Sequence, residues 1–424
     1  MTWKVNNLIY AGGNGLHNTA RLRIAMSEPV DPRALRTAAD EAITRYPFFA
    51  VRLVRRGEEY VFTPNSSPLA VSPGGRAVAL GSAESNYHLF ALAYDGNFLS
   101  VDFSHFISDG AGSFPFVKTL LYCYLRILHP EAEFDLKGIQ LPGSEIPAAE
   151  ADDDPFPAAP VPTEGLGPAG APVDAFLPED QPAGYESRDR WTSFRVRCPQ
   201  KDMMKYASGV DGSPATFIAS VMYRAIDACH PDRSRPIICG MQHQYRKALG
   251  NPLSHLCHVN IIPIVYSARM RGKSLELLNT MARGTTLLRA DIANDLLSVN
   301  AHIENEARIK GMSLAEKKAY MRDFLLRRIG RNTFEASYTG RMDFSGLDRY
   351  ITDFTPFLDL SLSGGISIEI FSVSGQFSVN IMQRNQDRQY VDRFVALLEE
   401  CGIACETDDP EHFEICDFVL PEEG

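Results

Sequence analysis

Polar and apolar residues alternate from Thr19 to Met26, the two-residue period of a half-buried strand. Asp31 then caps a helix start, with Pro32 at the first helical position. Leu35, Ala38, Ala39, Ala42 and Ile43 recur on one face of that helix. Strands are predicted over 48–54, 59–63, 87–93 and 98–103; the last two meet at Asp95-Gly96, a strong hairpin signal. A helix over 113–128 follows and ends before Pro130.

The second half repeats this grammar. A short strand is predicted over 193–197, then a helix over 214–229 capped by Ser213 with Pro214 behind it. Strands follow over 236–240 and 259–265, then helices over 275–309 with one break and over 314–328. Residues 366–371 and 376–382 form a hairpin across Ser374-Gly375, and a last helix covers 388–400.

Between the halves, residues 144–186 hold nine prolines, ten acidic residues and no basic one. Proline removes a donor and fixes φ, so this stretch reads as an extended, solvated connector. The expected architecture is a layered α/β fold of two lobes, 1–143 and 187–424, tied by 144–186.

Composition supports a globular protein: 424 residues, 45% hydrophobic and 22% charged. The net charge of −11 argues against nucleic-acid binding, and the connector supplies almost all of the excess. Residues 306–331 run the other way, with eight Lys/Arg against three Asp/Glu. That run suits a solvated helix face or a landing surface for an anionic partner. The eight cysteines lack any CxxC pair and read as reduced thiols. The N-terminus has no signal-peptide pattern and no run is long and apolar enough to span a membrane, so a cytoplasmic location is expected.

The chemistry concentrates in Val101-Asp102-Phe103-Ser104-His105-Phe106-Ile107-Ser108-Asp109-Gly110. A strand delivers His105, Asp109-Gly110 opens the next helix, and Gly110 permits the positive φ or close approach that such a turn calls for. A histidine of ordinary pKa, about 6.5, accepts a proton at neutral pH. On the residues alone, a structural histidine beside an Asp-Gly turn explains the pattern as well. His243, His255, His258 and Cys257 have no zinc-ligand spacing, so no metal is expected. The glycine-rich stretch before His17 lacks the lysine of a phosphate loop.

This stretch resembles the HxxxDG signature of the chloramphenicol acetyltransferase-like superfamily, which includes condensation domains, BAHD acyltransferases and alcohol or polyketide-associated acetyltransferases. Residues 28–35 and 43–52 resemble the family's opening strand, helix and RYP turn. Residues 240–247 resemble its VPVNLR stretch, and 336–344 its SN-x-G crossover. The resemblance implies two lobes in a V with a tunnel between them, and His105 as general base in that tunnel. It implies a structural Asp109 and Gly110, with Arg246 as the partner of Asp109 and Arg52 as second choice. Ser104, Ser337, Tyr338 and Thr339 are its candidates for touching substrate.

Ser104 stands where condensation domains carry a first histidine, and no DFGWG motif is present. These departures move the resemblance toward stand-alone bacterial alcohol acetyltransferase-like proteins. The expected reaction moves an acyl group from acyl-CoA to an alcohol or amine, with no bound cofactor and a monomeric enzyme. A condensation-type catalyst using an acyl carrier protein and its phosphopantetheine is the alternative. A catalytically silent binding module of the same fold is the second.

Overall fold

The computed structural model describes residues 4–13, 15–150, 154, 156–163, 173–178, 191–209, 212–329 and 331–421. Much of the expected connector, residues 151–153, 155, 164–172 and 179–186, lies outside them.

The first half supplies β1 (Thr19–Met26), α1 (Pro32–Ile43), β2 (Val51–Arg56), β3 (Glu59–Pro64), β4 (Val71–Pro73), β5 (Phe90–Asp95), β6 (Phe98–Ser104) and α2 (Gly110–Leu128). Asp31 caps α1 as expected, its carboxylate accepting from the N–H groups of Arg33 and Ala34. The helix α2 begins at Gly110, three residues earlier than the pattern suggested, because the Asp109 carboxylate caps it by accepting from the Gly112 N–H.

The second half supplies β7 (Thr192–Pro199), α3 (Gln200–Gly209), α4 (Pro214–Cys229), β8 (Ile237–Gln244), β9 (Val259–Tyr266), α5 (Leu275–Arg289), α6 (Ile292–Ile309) and α7 (Leu314–Ile329). Strands β10 (Phe334–Arg341), β11 (Ile351–Leu358), β12 (Ile366–Val373) and β13 (Gln376–Gln383), then α8 (Gln389–Glu400), complete it, followed by short β14 (Glu406–Thr407) and β15 (Glu411–His412). Ser374 and Gly375 both have positive φ, 50° and 78°, the backbone of a two-residue hairpin turn between β12 and β13.

Among the described residues the strands form two large sheets and the β2–β3 ribbon. The first sheet runs β11-β1-β6-β5-β4. Its outer strand β11 comes from the second half of the chain and pairs antiparallel with β1. The second sheet runs β14-β7-β13-β12-β10-β8-β9, with β15 also on β7.

The two faces of the second sheet differ. Phe194, Val196, Ile368, Ile370, Val379 and Ile381 face the core shared with the helices. The opposite positions on the same strands include Ser193, Arg195, Ser367, Glu369, Ser378 and Asn380, all buried. This polar face meets β11: Arg195 pairs with Asp353 and bonds Thr355, and Asn380 donates to the Pro356 carbonyl. Burying so much polarity requires partners. The two sheets supply them to each other, and where they do not, a cavity remains.

The described parts of the connector are mostly exposed but anchored at several points. Glu150 is buried and bonded to Arg45, Val161 exchanges two hydrogen bonds with Asn300, and Phe156 stacks on His302. Part of the basic run is also committed. Lys317 is buried in an ion pair with Glu59 and donates to the Glu58 carbonyl, and Arg322 donates to the Gly13 carbonyl. These contacts dock α7 on the β2–β3 ribbon and the N-terminal segment. No helix among the described residues is long and apolar enough to cross a membrane.

Candidate active site

A cavity of about 250 Å³ lies where the polar face of the second sheet meets the first. Leu22, Phe103, Phe354, Pro356 and Leu358 form its apolar wall. Gln242, Ser337 and Glu369 line its other side, and His105, Asp109 and Gly110 reach it from the end of β6.

His105 follows directly on β6. Its N–H donates to the carbonyl of Asn18, 2.8 Å away. Asn18 has a positive φ of 48°, a conformation asparagine tolerates better than most residues. Phe103 meets the imidazole edge-on, with ring centroids 5.2 Å apart. Burial pushes the imidazole pKa below its ordinary value; the Asp109 charge and a hydrogen bond to the Ser108 main chain pull in the other direction and lose. His105 is therefore neutral at neutral pH and able to accept a proton.

The Asp109 carboxylate accepts from three donors. Arg246 Nη2 donates to Oδ1 at 2.7 Å, the His258 N–H to Oδ2 at 2.9 Å, and the Gly112 N–H to Oδ1 at 2.9 Å. Burial alone would raise this carboxyl, but Arg246 and the two N–H groups hold it below the usual carboxylate range. Arg246 also donates to the carbonyls of Ser254 and Leu256. Arg52 lies exposed on β2, away from this cluster.

The same loop is stitched to residues 254–258 at two further points. Ser108 Oγ donates to the His255 carbonyl at 2.7 Å, and His255 Nδ1 bonds the Gly112 carbonyl at 2.8 Å. A Cβ on Gly112 would lie 2.2 Å from the His255 oxygen, so the close approach needs glycine there. Gly110, to which the sequence assigned that need, has ordinary φ and nothing within 4 Å of an added Cβ. It borders the open cavity instead.

The remaining candidates separate. Ser104 is wholly buried and off the cavity, its Oγ accepting from the Phe106 N–H, because strand alternation turns it away from the side that Phe103 and His105 share. Ser337, Tyr338 and Thr339 all line the cavity. Ser337 bonds Glu369, Thr339 donates to the Ile370 carbonyl, and Tyr338 is half exposed.

Glu369 escaped the sequence reading. Its signal was present: an acid in the middle of Ile366-Ser367-Ile368-Glu369-Ile370, a strand otherwise built for burial. His243 bonds Asp295, and no cluster of metal-ligating side chains occurs among the described residues.

Solved structures with this arrangement of lobes are known. Polyketide synthase associated protein 5 from Mycobacterium tuberculosis superposes with a TM-score of 0.60 at 13% identity, covering 94% of this chain and 96% of that one. TRI101 of F. graminearum, in complex with coenzyme A and deoxynivalenol, gives 0.63 at 12% identity, covering 96% and 99%. The chain has the chloramphenicol acetyltransferase-like fold. The condensation domain of the monacolin K polyketide synthase MokA shares that fold as well, with a TM-score of 0.58 at 10% identity over 94% and 97% of the two chains. No protein-family model matches the chain, and no curated protein matches it by sequence. The acyltransferase-type fold is thus kept at identities too low to carry a substrate.

Proposed function

We propose that the protein moves an acyl group from a coenzyme A thioester to an alcohol or amine, with His105 as general base. The observation that carries this reading is the His105 imidazole facing a cavity between the two sheets, on a loop held by Asp109 and Arg246. The structures of this fold that hold coenzyme A support a thioester donor.

In this mechanism Ser108 holds one side of the imidazole, and the other side takes the proton of the acceptor N–H or O–H. The acceptor atom bonds to the thioester carbon as its proton moves to His105. The C–S bond then breaks, and the imidazolium returns the proton to the departing sulfur. The products are an ester or amide and free thiol. Tyr338 is the hydroxyl proposed to stabilise the carbonyl oxygen as it gains charge. Asp109 and Arg246 set the loop geometry and take no part in proton transfer.

Free-thiol release tests this directly. Acetyl-, medium-chain and long-chain acyl-CoA are offered with a panel of alcohols and amines, beside His105→Ala. Acceptor-dependent release that disappears in the variant supports the reading. No release from any donor by folded protein would move the assignment to a carrier-protein-bound donor, tested next with acyl-loaded carrier, and then to a silent binding module.

A further inference from the structure

One group in the cavity has no task in the proposed transfer. Glu369 sits mid-way along β12, opposite Ser337 of β10 and Asn380 of β13. It is only 3% exposed and lines the cavity. Burying a carboxyl is unfavourable unless a counter-charge or several donors meet it. If hydrogen bonding were the whole purpose, a glutamine would serve without the burden of ionisation.

Among the described residues, no cation pairs with Glu369. Arg195 on β7 is held by Asp353, Arg246 by Asp109, and Arg341 on β10 is exposed. Glu335, also on β10, adds negative charge to its surroundings. The other titratable groups on the cavity wall are His105, Asp109, Tyr338 and Arg341, which forms no ion pair with Glu369, with His243 of β8 bonded to Asp295. Among the described residues no counter-charge is paired with this carboxyl, and the cavity it lines is open.

We propose that Glu369 binds a positively charged nitrogen on the acyl acceptor, making that acceptor an amino alcohol or a diamine. The acyl-transfer reading enters only in calling this ligand an acceptor. The ammonium pairs with Glu369, the second functional group reaches His105, and the chain between them lies on Leu22, Phe103 and Phe354.

Without ligand, burial pushes the Glu369 carboxyl up to about 8; the Ser337 hydroxyl opposes this and Glu335 adds to it. A proton stands in for the missing cation. A bound ammonium displaces it, so binding releases a proton below about pH 8, and affinity rises with pH up to that point.

Calorimetry tests the site. Hexylamine and 1-hexanol are titrated into the full chain between about pH 6 and 8, where an alkylamine stays charged as lysine does. Hexylamine is expected to bind at least about tenfold more tightly than hexanol, the scale of a buried charge pair. Its heat should vary with the ionisation enthalpy of the buffer, reporting the released proton. In Glu369→Gln the preference should fall to about twofold or less and the proton release should vanish. Glu369→Asp keeps the charge and should keep the proton release, which covers the case in which the glutamine variant fails to fold.

Equal binding of the two probes by the wild-type protein, or an unchanged preference in Glu369→Gln, overturns the cation site. Thiol-release assays separate the two ideas. Hexylamine binding without transfer from any donor removes the acyl-transfer reading and leaves the site standing. Transfer to simple alcohols without a hexylamine preference removes the site alone.

Discussion

Arg246 reaches Asp109 across 137 residues of chain and donates to its carboxylate at 2.7 Å. Both side chains are buried, at 7% and 2% exposure. A pair so placed contributes little net energy by Coulomb attraction alone, since both charges were taken from water. Its effect is geometric: it joins the start of α2 to the loop after β8 and so holds His105 over the cavity.

Arg246→Ala is expected to lower stability by about 3–5 kcal/mol, because it leaves the Asp109 charge buried without its partner. Denaturant unfolding measures this. Arg246→Ala combined with Asp109→Asn should recover part of the loss, since the stranded charge is then gone. A double variant no better than the single one would contradict this account.

The same pair gives a sign for acid stability. The folded-state pKa of Asp109 lies below its ordinary value, so its contribution is fully present above about pH 3.9 and is lost as pH falls through the lower folded value. Asp109→Asn should therefore flatten the acid limb of the melting profile while lowering stability at neutral pH. Parallel melts from about pH 7 down to pH 3 test both halves of that statement.

His105→Ala is expected to reduce transfer by about 10²–10⁴-fold with melting temperature little changed. The wild-type rate should fall only below about pH 6.5, because burial holds the imidazole pKa under the ordinary histidine value. A rate with a neutral acceptor that dropped already above that pH would assign the titration to another group.

Two glycines two residues apart should behave in opposite ways. Gly112→Ala forces a Cβ against the His255 carbonyl at 2.2 Å, so the loop must part from residues 254–258. A cost of about 1–3 kcal/mol and a large loss of activity are expected. Gly110→Ala meets nothing within 4 Å and should fold normally, its methyl group bordering the cavity and reducing the rate with bulky acceptors first. Melting curves and an acceptor-size series distinguish the two.

Much of the fold was legible because local rules decide it. The cap at Asp31, the proline behind Ser213 and the turn at Ser374-Gly375 each act within a few residues. β11 was missed because its partner, β1, lies more than 300 residues away, and nothing local says which sheet an edge strand joins. The anchored parts of the connector were missed for a related reason: proline and acid content describe a tether, while Arg45 and Asn300, which hold it, are far along the chain.

The candidate site divides in the same way. The sequence alone determined that a strand ends at His105 and that an Asp-capped helix begins just after it, since hydrophobic alternation and capping are short-range. Only the tertiary structure decided that Ser104 turns away from the cavity, that the close approach falls on Gly112 rather than Gly110, and that Glu369 is buried without a cation. Each of these depends on which segment packs opposite. Burial and electrostatic pairing are properties of three-dimensional neighbours, and chain order does not specify them.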